Sequence, residues 1–316
     1  MILIILLSEK LYILSDEGNI FMNHGTEKNT SLALLTLSMV IFGTIGIFRR
    51  FIPLPSDVLA FGRGMMGGTF LLIVLKAKGL SFGWTQIRIR SVLLLALTGA
   101  MIGLNWILLF EAYNHTTVAV ATLCYYMAPV IIILLSPVVL KEKLKYQQIL
   151  CVAVSVTGMV LVSGVIGGNA PPRHLKGVFL GLGAAVLYAL VVILNKFITN
   201  IPAFEKTIIQ LFSAAVVLIP YMAVSGRLHA YDLTGAGIIL FLIVGIVHTG
   251  IAYLMYFTSI ERLPARTCAL MSYIDPVTAI MLSALFLHDT SPRGYFSLKW
   301  SRFTRYAVRS GMDQPG

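Results

Sequence analysis

Nine stretches of about 20 mostly apolar residues run through this chain, and they decide what it can fold into. A helix of that length crosses the hydrocarbon core of a membrane and satisfies its own backbone hydrogen bonds there, whereas barrel strands are much shorter. The pattern therefore predicts nine transmembrane helices. We expect them near residues 31–48, 57–75, 91–110, 116–139, 147–166, 176–198, 205–224, 235–258 and 266–287.

Composition excludes the other protein classes. Hydrophobic residues make up 58% of the chain and charged residues 12%, against about 25% charged in soluble domains. A folded soluble domain cannot bury that much apolar surface. Cys124, Cys151 and Cys268 lie in apolar runs, without the spacing of a disulfide framework or a metal site. We therefore expect an all-α integral membrane protein surrounded by lipid, with no metal, no cofactor and no nucleic-acid partner.

The basic residues predict the orientation of the chain. Lys and Arg are concentrated in the loops on the side of the N-terminus, such as Lys76, Lys78 and the run from Lys141 to Lys145. The loops on the opposite side hold few basic residues, among them Arg173 and Arg227. Because short cytoplasmic loops are enriched in Lys and Arg, the N-terminus is predicted to be cytoplasmic.

An internal repeat is the most informative feature of the sequence. Sliding the chain by about 147 residues places the third and fourth spans on the eighth and ninth without a gap. The aligned pairs include Gly103 with Gly250, Tyr126 with Tyr273, Pro129 with Pro276, and Glu142 with Asp289. The repeated unit has five spans, and an odd number of spans inverts the second copy in the membrane. We therefore predict two inverted five-helix repeats, at residues 31–168 and 175–290.

Both ends of the chain depart from this plan. The tenth span is expected after Asp289, but residues 291–316 form a basic tail with too many charges to cross a membrane. We interpret the tail as a tenth span disrupted by a frameshift or truncation, the alternative being an amphipathic tail on the membrane surface. Residues 1–30 are interpreted as an N-terminal extension, and Met22 would be a natural start.

Residues 116–162 carry a family resemblance. The stretch combines a small-residue helix, Tyr-Met-Ala-Pro129, Lys-Glu142-Lys at the close of the fourth span, and a glycine-bearing fifth span. It resembles the EamA domain of the drug/metabolite transporter superfamily, and the resemblance covers both copies. It implies ten helices with cytoplasmic termini, a substrate cavity between the copies, and export of amino acids, other metabolites or drugs. The missing tenth span is a departure from the family pattern.

Two ionisable residues within spans are candidate substrate ligands, because buried charges in a membrane are costly and usually functional. Arg63 lies about two turns into the second span. It would attract a substrate carboxylate, or alternatively form a structural bond to Glu111 or to helix-end carbonyls. Asp275 lies near the middle of the ninth span. It would carry a coupling proton or hold a substrate amine, or alternatively bond to a neighbouring helix.

The matched prolines indicate where the helices are interrupted. Pro129 and Pro276 each remove a backbone donor and are predicted to kink the fourth and ninth spans. Matched interruptions in two halves of a transporter point to its binding site. Tyr126 and Tyr273 flank these kinks, and we include them with Trp106 of the third span as candidate substrate-binding residues.

Together these features predict a secondary transporter rather than an enzyme. We expect a multi-pass permease of the plasma or inner membrane that exports small metabolites by alternating access, with a homodimer compatible with the sequence. No nucleotide-binding motif supplies ATP energy. Two alternatives remain at this point. One is a non-functional remnant of a permease, and the other is an intramembrane lipid-modifying enzyme.

Overall fold

The computed structural model describes residues 24–79, 89–116, 118–144, 146–162, 172–199, 201–229 and 231–286. Every regular element within these ranges is helical, which confirms the prediction of an all-α protein. In chain order the helices are α1 (His24–Arg50), α2 (Ser56–Ala77), α3 (Ile89–His115), α4 (Val118–Tyr125), α5 (Ala128–Val139), α6 (Tyr146–Val162), α7 (Pro172–Asn195), α8 (Ala203–Val224), α9 (Gly235–Ile243), a π-helical segment (Val244–Ile251), α10 (Ala252–Arg262), α11 (Ala265–Met271) and α12 (Ile274–Phe286).

Seven helices of the described residues are long and apolar enough to cross a membrane, so the chain is a multi-pass membrane protein. The predicted fifth and ninth spans extend into residues that the structure does not describe, and so do the N-terminal extension and the basic tail. The seven spans cover Lys28–Ile45, Ser56–Ala77, Ile89–His115, Val120–Val139, His174–Asn195, Ala203–Val224 and Gly235–Arg262.

The repeat seen in the sequence recurs in the helix boundaries. Helices α2 and α8 each have 22 residues, and each follows a proline with nearly the same backbone angles, Pro55 and Pro202. Proline at this place presets the chain for a helix start. The ion pair between Asp57 and Arg227 joins the first turn of α2 to the residues after the end of α8. The two equivalent helices therefore run in opposite directions, as inverted repeats require.

Glycines bring the two repeats into close contact. A Cβ atom on Gly99 of α3 would lie 2.5 Å from the Gln210 carbonyl of α8, and one on Gly103 would lie 2.6 Å from the Ala214 carbonyl. Only glycine permits backbones to approach this closely, and small residues play the same part in many membrane proteins. Helix α3 of the first repeat is thus packed directly on α8 of the second.

A hydrogen-bond network crosses this interface. The side-chain amide of Gln210 donates to Thr98 Oγ1 at 2.7 Å and to Asn195 Oδ1 at 3.1 Å, and all three residues are buried. Asn105 of α3 donates to the Ala184 carbonyl of α7 at 2.5 Å. Interhelical hydrogen bonds of this kind stabilise membrane bundles. The network therefore serves to hold α3, α7 and α8 together.

Candidate substrate site

Two interrupted helices meet in the middle of the bundle. The fourth span breaks between α4 and α5 at Tyr126 and Met127, and the ninth breaks between α11 and α12 at Ser272 and Tyr273. A proline follows each break in the first turn of the next helix, where its missing N–H costs least. The interruptions leave backbone groups at membrane depth that need a polar surrounding, which is typical of transporter sites.

Arg63 of α2 points into the bundle. Its guanidinium carbon lies 4.2 Å from the centre of the Trp106 ring, a cation–π contact. Its Nε is buried and has no hydrogen-bond partner among the described residues, and the side chain forms no salt bridge with any of them. Glu111, one alternative partner, instead accepts a hydrogen bond from Tyr221. The described protein thus leaves most donors of this guanidinium free to bind something else.

The glycines of α2 set the position of Arg63. A Cβ atom on Gly67 would lie 2.9 Å from the Gly250 nitrogen, so α2 rests against the backbone of the π-helical segment. In that segment, His248 Nε2 and Thr44 Oγ1 are hydrogen-bonded at 2.7 Å, which joins it to α1. π-Helical turns often occur at functional sites. Here the turn lies beside the cation, and His248 interacts electrostatically with Arg63.

Asp275 lies in the first turn of α12, where a carboxylate is favoured by the helix dipole. The side chain is half-buried. It forms no hydrogen bond or ion pair with the residues that the structure describes, so the alternative of a bond to a neighbouring helix finds no support there. The carboxylate interacts electrostatically with the hydroxyls of Tyr125, Tyr126 and Tyr188.

Five tyrosines interact with Arg63, with Asp275 or with one another, and we call them the tyrosine cluster. The Tyr188 hydroxyl donates to the Tyr256 hydroxyl at 2.7 Å, and the rings of Tyr125 and Tyr188 are 5.9 Å apart. Tyr125 and Tyr253 each interact electrostatically with both Arg63 and Asp275. The cluster therefore connects the cation to the anion. Its members are Tyr125, Tyr126, Tyr188, Tyr253 and Tyr256.

The structure brings together most of the candidate residues. Arg63 and Trp106 are in contact, and the Trp106 ring packs edge-on against the Tyr253 ring. Asp275 lies near Tyr126. Arg63 and Asp275 share the tyrosine cluster but form no salt bridge with each other. Tyr273 is half-buried in the ninth-span break, two residues before Asp275.

Sequence reasoning missed Tyr188, Tyr253 and Tyr256, because an aromatic residue within an apolar span is usually a packing residue. The repeat held a usable signal for one of them. The same offset that aligns the two prolines places Trp106 on Tyr253, and the two rings are 6.5 Å apart and nearly perpendicular. A pair of equivalent aromatics that meet near the repeat axis is a feature that a search of the offset alignment would have found.

Contacts between the repeats also occur at both ends of the bundle. At one end, the Glu142 carboxylate accepts hydrogen bonds from the backbone N–H groups of Ala265 at 2.8 Å and Arg266 at 3.4 Å. We call this the Glu142 end. At the other, the Arg227 end, Arg227 donates to Asp57 at 2.9 Å. Glu142 thus acts at a helix boundary, and its repeat equivalent Asp289 lies outside the described residues.

Comparisons with known proteins support a transporter. The model of the EamA-like transporter family matches residues 29–164 and 175–292. An uncharacterized transporter of Bacillus subtilis (strain 168), YxxF, is 31% identical over 264 residues, covering 82% of this chain and 83% of that protein. Protein RarD of Streptomyces exfoliatus is 25% identical over 272 residues, covering 82% and 83%. A solved crystal structure superposes with a TM-score of 0.69 at 18% identity, covering 83% of this chain and 90% of that one, which shows a shared fold.

Proposed function

Since this chain belongs to the EamA-like transporter family, we propose that it is a secondary permease that exports small zwitterionic metabolites, amino acids above all. The proposed location is the plasma or inner membrane. The N-terminus and the Glu142 end face the cytoplasm, because the basic loops lie on that side. The Arg227 end then faces outward.

The observation that carries this proposal is the pair of opposite charges around the tyrosine cluster. Arg63 comes from the first repeat and Asp275 from the second, and the described protein supplies no ionic partner for either. An unpaired charge at membrane depth is costly and calls for a counter-charge or water. A zwitterion supplies both counter-charges at once, with its carboxylate on Arg63 and its ammonium on Asp275.

Alternating access follows from where the repeats touch. The Glu142 hydrogen bonds join the two repeats at one end of the bundle, and the Asp57–Arg227 ion pair joins them at the other. The interrupted helices lie between these two sets of contacts. Rocking of one repeat against the other would release one set of end contacts at a time. The glycine-packed interface of α3 and α8 is the natural pivot, because it joins the repeats through backbone contacts rather than through the site. Energy would come from the substrate gradient or an ion gradient.

Uptake of labelled amino acids into proteoliposomes tests the proposal. Arg63→Ala and Asp275→Asn should each lower the initial rate about 10- to 100-fold, the effect of losing a charged hydrogen bond worth about 1.5–3 kcal/mol. Arg90→Ala and Asp232→Asn are matched controls, because both side chains are exposed and away from the cluster. The controls should transport like the unmodified protein. Normal uptake by both site variants would refute the assignment.

A further inference from the structure

A polar cavity lies at the Arg227 end of the bundle. It has a volume of about 290 Å³ and is lined by the start of α2, the last turns of α3 and the end of α8. None of its lining residues belongs to the tyrosine cluster. The cavity therefore is a separate space, formed by both repeats, between the central residues and the outer surface. Its volume is near the lower limit of small-molecule sites.

Arg227 lines this cavity and is held by an ion pair with Asp57. Its Nη1 donates to Asp57, which is fully buried in the first turn of α2, while 38% of the Arg227 side chain is exposed. This hydrogen bond raises the pKa of Arg227 further above its usual value, so the guanidinium stays charged. A guanidinium has five N–H donors. Only the one on Asp57 has a partner within the described ranges, and the remaining donors suit a bidentate carboxylate.

Asp57 and the aromatic residues complete the lining of the same cavity. Asp57 Oδ1 is buried without a hydrogen-bond partner among the described residues, although the residue lines the cavity. A buried carboxylate oxygen left in this state is costly. Phe110 and Tyr113 supply an apolar wall, and Tyr221, whose hydroxyl donates to Glu111, supplies a polar one. The lining thus combines one cation, one carboxylate and an aromatic surface.

We propose that this cavity is a second, outer binding site for the substrate, in which Arg227 takes the carboxylate of an amino acid and the aromatic wall takes its side chain. The inference rests on the proposed transport function, because it makes the cavity a stage between the central site and the outside. Asp57 acts as a positioning residue: it accepts a hydrogen bond from Nη1 of Arg227 and leaves the other guanidinium N–H groups to the ligand.

Protection of Arg227 from an arginine reagent tests this site directly. The purified full chain in phosphatidylcholine nanodiscs is treated with phenylglyoxal, and labelling of each arginine is followed by peptide mass spectrometry. The probes are L-leucine, isocaproate, which lacks the ammonium group, and leucinol, which lacks the carboxylate. Arg90 is exposed at the other end of the bundle and serves as the internal reference. The same measurements are made on the Arg63→Ala/Asp275→Asn double variant.

We expect leucine and isocaproate to slow the labelling of Arg227 about tenfold at ten times their dissociation constants, in both proteins. Leucinol should have no effect, and the labelling of Arg90 should not change. Several results would overturn the outer site: no protection, equal protection by leucinol, or protection that is lost in the double variant. Protection caused by phosphatidylglycerol in place of phosphatidylcholine, without added probe, would assign the anion to a lipid headgroup and also overturn it. Proteoliposome uptake measures the central site independently, so failure of either proposal can be told from failure of the other.

Discussion

Equivalent positions of the two repeats differ in a consistent way. The repeat offset places Arg63 on Gln210 and Asp275 on Ala128. Gln210 is fully buried and bonded to Thr98 and Asn195, and Ala128 is 2% exposed within the apolar core. Arg63 and Asp275 are ionisable and half-buried, and find no ionic partner in the described protein. One copy of each position is part of the packed scaffold, and the other is the copy for which we propose a ligand contact.

This difference shows how a duplicated bundle acquires an asymmetric site. The duplication preserves what sets geometry, such as the helix starts at Pro55 and Pro202 and the interruptions before Pro129 and Pro276. Single residue differences between equivalent positions then change the chemical character of each position. Since Arg63 stands in the first repeat and Asp275 in the second, each repeat contributes one of the two proposed ligand contacts.

We expect the largest effect on uptake when Arg63 is replaced by glutamine, the residue found at the equivalent position of the second repeat. Arg63→Gln should lower amino-acid uptake about 100-fold, because the neutral amide cannot replace a guanidinium that binds a carboxylate with two N–H groups. The thermal midpoint in detergent should not fall, since the lost cation–π contact is offset by removal of a buried charge. A lower midpoint with normal uptake would instead make Arg63 a scaffold residue.

Asp275→Ala gives the interruption of the ninth span the residue that the fourth span has at the equivalent position, Ala128. We expect uptake to fall about tenfold or more, while the midpoint of thermal unfolding stays equal or rises, because a carboxylate without a hydrogen-bond partner is removed. Asp232→Ala, at an exposed loop position, is the control and should change neither quantity. Destabilisation by Asp275→Ala would reveal a structural role and contradict the comparison.

Gln210→Leu tests the scaffold side of the comparison. The substitution removes the hydrogen bonds that Thr98 and Asn195 accept from Gln210 in the interface between α3, α7 and α8. This loss should lower the free energy of unfolding by about 1–3 kcal/mol. Uptake per folded molecule should change little. A double-mutant cycle with Thr98→Ala measures the coupling between the two side chains, and a coupling near zero would show that the hydrogen bond contributes nothing.

The smallest effect is expected at the Glu142 end. Glu142→Gln keeps an acceptor for the Ala265 and Arg266 N–H groups but removes the negative charge at the start of α11. The loss should be about 0.3–1 kcal/mol of unfolding free energy, measured by denaturant or thermal titration in detergent. Glu142→Ala removes the acceptor as well and should cost more. Equal effects of the two substitutions would show that charge alone matters there.

Some of the candidate site residues stand out in the sequence because they violate a local rule. A single Arg or Asp within an apolar span stands out, and so does a proline at matched positions of two copies; these signals led to Arg63, Asp275, Pro129 and Pro276. Tyr253 and Tyr256 do not stand out in the sequence, because tyrosine is common in membrane spans. Whether Glu111 pairs with Arg63 or with Tyr221 depends on how α2, α3 and α8 pack, which no local pattern contains.

A bundle of membrane helices with an internal repeat can be inferred from the sequence alone, because hydropathy, span length and proline act within one segment. Which polar groups find hydrogen-bond partners depends on how the helices pack. Gln210 donates to Thr98 and Asn195 across helix boundaries, whereas Arg63 and Asp275 interact with the tyrosine cluster and have no counter-charge among the described residues. Such pairings depend on the approach of helices far apart in sequence, which glycine contacts and side-chain shape establish when the bundle assembles.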